Sequence, residues 1–280
     1  MTAVVVPVFN APEQARRCLA ALDSTVEANR PVIVIDDASD DPAIEGVFDD
    51  LPRRWTTVRN RSNLGFVASA NLGMTLAGGE DVILLNADTC VSEGWLDAIE
   101  RCRDSDASVA SITPLTNNGE IASIPDFCRA NPWPDDVETW ARACRSAGPP
   151  MYPDVPTAVG FCMFLRRACL DEIGLFDEAA FGRGYGEEND WCMRATHAGW
   201  RHVLCDDAFV AHEGGASFGP LGIEPGGEAM ATLLARYPDY MDRVRAFIDA
   251  DPMAERRRRI VARYRAVGGA GSEGAEASGR

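Results

Sequence analysis

The chain contains no lysine: all 27 of its basic residues are arginine. That absence excludes Schiff-base catalysis and any phosphate loop built around a lysine. Positive charge is also scarce. Against 43 acidic residues it leaves a formal charge of −16, whereas a nucleic-acid binder needs a basic face to neutralise phosphate; no nucleic-acid partner is expected. No apolar run approaches the roughly 18 residues of a membrane span. The opening run Ala3–Val8 has no basic segment ahead of it, so no signal peptide is expected. The nine cysteines include no Cys-x-x-Cys pair, and their odd number and wide spacing speak against a disulfide framework or a structural zinc site. Cys162 and Cys192 sit among apolar neighbours, as small core side chains do. A soluble protein of the reducing cytoplasm is the expectation.

What the chain does have is bulk and balance. Its 280 residues, 46% hydrophobic and 25% charged, suffice for one large α/β domain with a sizeable core or for two small ones. Strand-like runs fall at 3–8, 31–35, 55–59 and 81–85, with helical patterns at 12–28, 43–51, 66–77 and 93–103. Short apolar runs separated by such helices predict βαβ units, a mostly parallel sheet and helices on both faces. From Thr113 to Pro156 eight prolines interrupt the pattern, leaving a helix at 136–147. A strand is predicted at 158–165, helices at 167–173 and 187–198, and a strand pair at 202–204 and 209–212. Residues 224–266 read as a helical extension and 267–280 as a disordered tail.

In a sheet of this kind ligands bind beyond the carboxyl ends of the strands. The second strand ends in Asp36-Asp37-Ala38-Ser39-Asp40-Asp41. Adjacent carboxylates there suit the N–H and hydroxyl donors of a nucleoside, or else cap the next helix, a role Asp40 fits. The fourth strand ends in Asn86-Ala87-Asp88-Thr89. An aspartate there suits a Mn²⁺ or Mg²⁺ ion that keeps other positions for phosphate oxygens; an ordinary Asn/Asp turn is the alternative. Gly182, Gly184 and Gly186 lead into Glu187-Glu188-Asn189-Asp190 at a helix start. Acids there complement the helix dipole, which favours their ionised form, and one of them can serve as a general base. His212 closes a strand and precedes the glycine-rich stretch 213–219, which fits a phosphate or metal contact as well as a structural role. His197 and His202 have no such context and read as structural. Residues 255–265 carry six arginines in eleven. They form either a solvated helix end or a contact for an anionic membrane or acidic partner.

Taken in order, these segments resemble the family 2 glycosyltransferases, inverting enzymes of the GT-A fold. The resemblance rests on Val6-Pro7-Val8-Phe9-Asn10, Asp36–Asp40, Asn63-Leu64-Gly65-Phe66 with Ala70-Asn71, Leu85–Thr89, Gly186–Asp190 and His212, and spans Val4 to Gly219. It implies a Rossmann-like α/β sheet with a nucleotide-sugar-binding half at 1–112 and an acceptor-binding, catalytic half at 113–222. It also implies roles. Pro7, Phe9, Asn10 and Asp37 would line the nucleoside pocket, with Asn63, Gly65 and Asn71 near base and ribose. Asn86-Ala87-Asp88 would hold ribose and metal-bound diphosphate, His212 would be a further metal ligand, and Glu188 would be the catalytic base, with Asp190 the alternate. Two positions depart from the common pattern: Asn86 replaces an aspartate, and Glu188 stands where many members have Asp. The implied activity is metal-assisted transfer of a sugar, rhamnose or another deoxysugar by analogy, from a nucleoside diphosphate to a glycan or lipid-linked acceptor in bacterial surface polysaccharide synthesis. A sugar-nucleotide-forming nucleotidyltransferase would carry a glycine-rich basic signature after the first strand, where this chain has Phe9-Asn10-Ala11-Pro12. A degenerate sugar-nucleotide-binding module is the non-enzymatic alternative.

Overall fold

The computed structural model describes residues 1–182, 184–214 and 227–273, with side chains described as far as 267. Seven strands form the main sheet: β1 (Thr2–Val8), β2 (Val32–Asp36), β3 (Thr56–Arg59), β4 (Asp81–Leu85), β6 (Val109–Leu115), β7 (Cys162–Leu165) and β8 (Arg201–Phe209). Their order is β3-β2-β1-β4-β7-β6-β8. Every neighbouring pair is parallel except those made by β7, which runs against both β4 and β6. Two short strands, β5 (Thr89–Cys90) and β9 (Ala211–His212), form a separate antiparallel pair.

Helices cover both faces, and the pleat of the strands divides the core between them. Val4, Val6 and Val8 of β1 face one layer, while Ala3 and Val5 face the other. The first layer takes α1 (Pro12–Thr25), α2 (Ala43–Asp49), α4 (Trp95–Ser105), α5 (Val137–Ser146) and α11 (Ala254–Glu273). The second takes α3 (Phe66–Leu76), α6 (Arg167–Ile173), α7 (Glu178–Phe181), α8 (Glu187–His197), α9 (Gly227–Arg236) and α10 (Tyr240–Ala250). At Gly73 α3 lies directly on β1: a Cβ there would stand 2.1 Å from Val5 Cγ1, so only glycine permits the contact.

The α/β expectation holds, with corrections. Strand β6, between β7 and the edge strand β8, lies where no strand was expected, because Pro114 interrupts its apolar run. It tolerates proline where its ladder with β8 shifts register between Pro114 and Leu115. The expected pair at 202–204 and 209–212 is one strand, β8, followed by the short β9. The extension is three helices, and α11 continues past Val267 to Glu273 where disorder was expected; residues 274–280 lie outside the described residues. Asp41, not Asp40, satisfies the start of α2, accepting from Ala43 N at 2.9 Å. All nine cysteines are free thiols, and Cys162 and Cys192 are fully buried.

Candidate active site

The carboxyl ends of β1 and β2 are bound to each other by Asn10. Its backbone is left-handed (φ 53°), which asparagine tolerates better than most residues. Its Oδ1 accepts from the amides of Asp40 and Asp41, both at 3.0 Å, and its Nδ2 donates to Asp40 Oδ1 at 2.7 Å. Asp37 is buried and gathers the following loop: Oδ1 accepts from Asn60 Nδ2 (2.7 Å) and Leu64 N (2.9 Å), Oδ2 from Gly65 N (2.8 Å). Oδ2 thus keeps acceptor capacity. Asn71 pairs through both side-chain atoms with the backbone of Phe176. Of the residues expected to line the nucleoside pocket, Asn10 and Asn71 therefore have their polar groups engaged in holding the scaffold. Pro7, Phe9 and Asn63 are partly exposed, and Gly65 is the buried residue ahead of α3.

The second cluster is assembled by the β5–β9 pair, which sets Thr89 opposite His212. Asn86 caps the turn after β4: its N–H donates to Phe161 O and its carbonyl accepts from Thr89 N. Ala87 and Asp88 are buried. His212 Nε2 stands 3.5 Å from Asp88 Oδ1, and its Nδ1 lies 2.6 Å from the Asn118 carbonyl. A carbonyl only accepts, so Nδ1 carries a proton and Nε2 is the nitrogen that faces Asp88. Asn117 clasps the backbone of His212 at both N and O, each at 2.9 Å, and Phe161 stacks on the ring at 5.2 Å. Burial disfavours the charged ring, but the Asp88 carboxylate and the Asn118 carbonyl outweigh it and hold His212 above its ordinary pKa. Asn117, Asn118 and Phe161 were not anticipated. Asn117-Asn118-Gly119 follows β6 after one residue, Thr116, so the unrecognised strand hid the strand-end signal. Gly215–Gly219 of the glycine-rich stretch lie outside the described residues.

The third cluster sits at the start of α8. Gly186, at φ 90°, precedes the helix, and a Cβ there would press to 3.1 Å from the Phe181 ring. Asp190 is fully buried and spoken for: Oδ2 accepts from Arg194 Nε (2.8 Å), Oδ1 from Arg236 Nη1 (2.7 Å) and Tyr237 Oη (3.2 Å). These partners engage both of its carboxyl oxygens. Asn189 Oδ1 accepts from Thr157 and Tyr240 hydroxyls at 2.8 and 2.7 Å. Glu187 and Glu188 differ from both. Each keeps Oε2 out of solvent with no hydrogen-bond donor among the described residues, and the two carboxyls lie within hydrogen-bond reach of each other. Two buried carboxylates in contact cannot both ionise cheaply. Burial and the Glu188 charge push Glu187 well up. Burial, with the charge of Glu120, also raises Glu188. The helix dipole was expected to favour ionisation of both; desolvation outweighs it.

Tyr185 joins the second and third clusters. Burial raises its pKa first, and Glu188, Glu187 and Asp88 add to that through their charges. The acid pair and the Asp88–His212 junction flank Gly160-Phe161: a Cβ at Gly160 would stand 3.9 Å from Glu188 Cδ, and the next residue, Phe161, stacks on His212. Among the described residues no group of three or more His, Cys, Asp or Glu side chains is arranged to hold a metal ion. Asp88 and His212 alone suit a cation that takes its remaining ligands from a bound diphosphate.

The fold is shared with sugar-transferring enzymes of the GT-A type. The structure superposes on GalNAc-T7, solved with UDP, GalNAc and Mn²⁺, with a TM-score of 0.64 at 14% identity, covering 94% of this chain and 54% of that one. It also matches a mannosyltransferase from Pyrobaculum calidifontis, solved with GDP-Man and Mn²⁺, with a TM-score of 0.57 at 16% identity, covering 89% and 75%. The fold is thus of the GT-A type. Residues 3–174 match glycosyl transferase family 2, and the chain belongs to that family. A relative from Mycobacterium tuberculosis, an N-acetylglucosaminyl-diphospho-decaprenol L-rhamnosyltransferase, is 28% identical over 248 residues, 77% of each chain.

Proposed function

We propose that the enzyme transfers a sugar, rhamnose or a related deoxysugar, from a nucleoside diphosphate to an acceptor hydroxyl with inversion, and that the acceptor is a glycan carried on a lipid diphosphate. The observation that carries the reading is the meeting at Gly160-Phe161 of the Glu187–Glu188 pair, each with an oxygen lacking a partner among the described residues, and the Asp88–His212 pair. The rhamnosyltransferase relative supports the choice of donor sugar and lipid-linked acceptor. The family match disfavours the nucleotidyltransferase alternative. Pro7, Phe9, Asn63 and Gly65 line the nucleoside side of the pocket, with Asp37 shaping the loop beneath it. Asn86, Ala87 and Asp88 meet ribose and diphosphate.

Glu188 takes the proton of the acceptor hydroxyl as that oxygen attacks the anomeric carbon, and the nucleoside diphosphate leaves from the opposite face. A base raised above the ordinary glutamate range is better matched to that proton at neutral pH. Glu187, the more strongly raised of the two, holds a proton and donates it to Glu188, which keeps the base carboxylate oriented. A Mn²⁺ or Mg²⁺ ion on Asp88 and His212 would offset the negative charge that develops on the leaving diphosphate. The reaction belongs on the cytoplasmic side of the membrane, in keeping with nine free thiols.

The test is a donor screen: hydrolysis of dTDP-, UDP- and GDP-sugars with Mn²⁺, Mg²⁺ or chelator, then transfer to a polyprenyl-diphosphate-linked N-acetylhexosamine. One donor should be hydrolysed slowly and only with a divalent ion, and the lipid-linked acceptor should accelerate its consumption. Absence of both hydrolysis and nucleoside-diphosphate binding across the screen would leave only a degenerate fold.

A further inference from the structure

The arginine-rich segment 255–265 divides into two sets once folded. Arg256 and Arg257 face inward. Arg256 is fully buried, paired with Asp206 at 2.8 Å, and donates to the carbonyls of Gly148 (2.9 Å) and Cys144 (3.0 Å). Arg257 pairs with Asp251 and lies 4.5 Å over the Phe127 ring. With Met253 and Ile260, both buried, these residues fasten α11 against α5 and β8. Arg258, Arg259, Arg263 and Arg265 remain exposed on the outer side of the helix. Glu255 reaches Arg259 at 3.8 Å. Arg258, Arg263 and Arg265 have no carboxylate partner among the described residues. In a chain of net charge −16, this is a local reversal of sign.

A second feature adjoins it. Pro149, Pro150 and Met151 form an exposed apolar tip, with Met151 49% exposed. The tip is fixed to the root of α11. Gly148 O accepts from Arg256, and the Met151 and Tyr152 amides both donate to Asp206 Oδ1 at 2.9 Å. One of the outer arginines is close by: a Cβ at Gly148 would stand 3.6 Å from Arg259 Nη1. The buried Arg256–Asp206 pair thus holds an apolar tip and a basic helix face side by side.

We propose that this surface docks the enzyme on an anionic bilayer, with the outer arginines of α11 at the headgroups and Met151 entering the interface. The pairing of charge with an apolar tip favours a bilayer over an acidic soluble partner, which would use the arginines and ignore the methionine. The chain as a whole carries a net charge of −16 and is repelled by anionic lipid, so the basic face selects the orientation. The inference goes beyond the proposed transfer reaction and does not depend on which donor or acceptor is correct.

The experiment is co-sedimentation of the full chain with vesicles of phosphatidylcholine alone or with 30% phosphatidylglycerol, at low and high salt. Each arginine near an anionic surface multiplies partitioning by roughly fivefold, so R258Q/R263Q/R265Q should lose roughly a hundredfold. M151S should weaken binding further at every salt concentration, because its contribution is not screened. Both variants should keep wild-type melting and, where hydrolysis is detected, wild-type donor hydrolysis, which separates this test from that of the reaction. Equal vesicle binding by the triple variant and the wild type, or no binding to anionic vesicles, would overturn the proposal. So would a triple variant that fails while M151S binds like wild type and heparin competes fully, which would assign the face to an acidic soluble partner.

Discussion

Arg236 in α9 reaches back across 46 residues of sequence to donate to Asp190 in α8 at 2.7 Å. Its other amino group holds Asp177 at 2.8 Å. Four residues on, Tyr240 holds Asn189. The helical extension therefore clamps the two residues that follow Glu188, and the position of the proposed base depends on helices outside the segment that matches the family.

That arrangement sets a first expectation. Asp190 is enclosed with Arg194 and Arg236 as its counter-ions, and removing one member of a buried ion pair typically costs about 3–5 kcal/mol. Asp190→Asn should lower the urea midpoint clearly while the folded fraction keeps turnover within about tenfold of wild type. Arg236→Ala should lower turnover more than donor affinity, because α8 loses its tether while the nucleoside side is untouched. Wild-type stability with abolished turnover in Asp190→Asn would reinstate that residue as the base.

Glu188→Gln should lose about 10²–10⁴ in turnover yet bind nucleoside diphosphate as the wild type does by calorimetry, since a base meets the acceptor and not the leaving group. Glu187→Gln should be mild, because an amide can donate to Glu188 as the protonated acid does, whereas Glu187→Ala removes the donor and should be worse. Activity requires Glu188 ionised, so kcat/KM should rise with pH along a limb lying above the ordinary glutamate value, in the direction its burial sets. A limb at or below that value would remove the argument for desolvation.

Local pattern sufficed for much of the fold. Apolar runs at β1, β2 and β4, and helices such as α6 and α8, were legible because strands buried on both faces leave continuous Val/Ile/Leu runs. β6 was not, since a proline at a register shift looks identical to a proline in a loop. The site was legible as separate pieces. Asp88 and His212 stand out at strand ends, but 124 residues separate them, and only the β5–β9 pairing brings Nε2 within 3.5 Å of the carboxylate. The engagement of Asp190 is hidden for a related reason: its partner Arg236 lies on a helix whose packing no local spacing encodes.

Asp88→Ala should abolish the Mn²⁺-dependent part of nucleoside-diphosphate binding, and His212→Ala should weaken it by a smaller factor. Asn118→Gly should leave binding intact, since its contact to Nδ1 is made by the backbone carbonyl. Calorimetry with Mn²⁺, Mg²⁺ and chelator separates these cases. Equal affinity with and without a divalent ion in the wild type would remove the metal from the pocket altogether.

His202 supplies a stability prediction unconnected with the site. It is buried, accepting from Ser111 Oγ at Nδ1 (2.7 Å) and donating from Nε2 to Cys192 O (2.9 Å). Both nitrogens are satisfied only in the neutral ring. Burial lowers its pKa from 6.5 to about 4. Because the folded value lies below the unfolded one, the contribution is fully present above about pH 6.5 and is lost as pH falls through 6.5 toward 4. By pH 5 the loss amounts to about 2 kcal/mol. Urea midpoints taken at pH 7.5 and pH 5 should therefore fall more for the wild type than for His202→Gln, which has no proton to take up. Parallel decreases in the two proteins would mean that acid weakens the fold elsewhere and that His202 carries none of it.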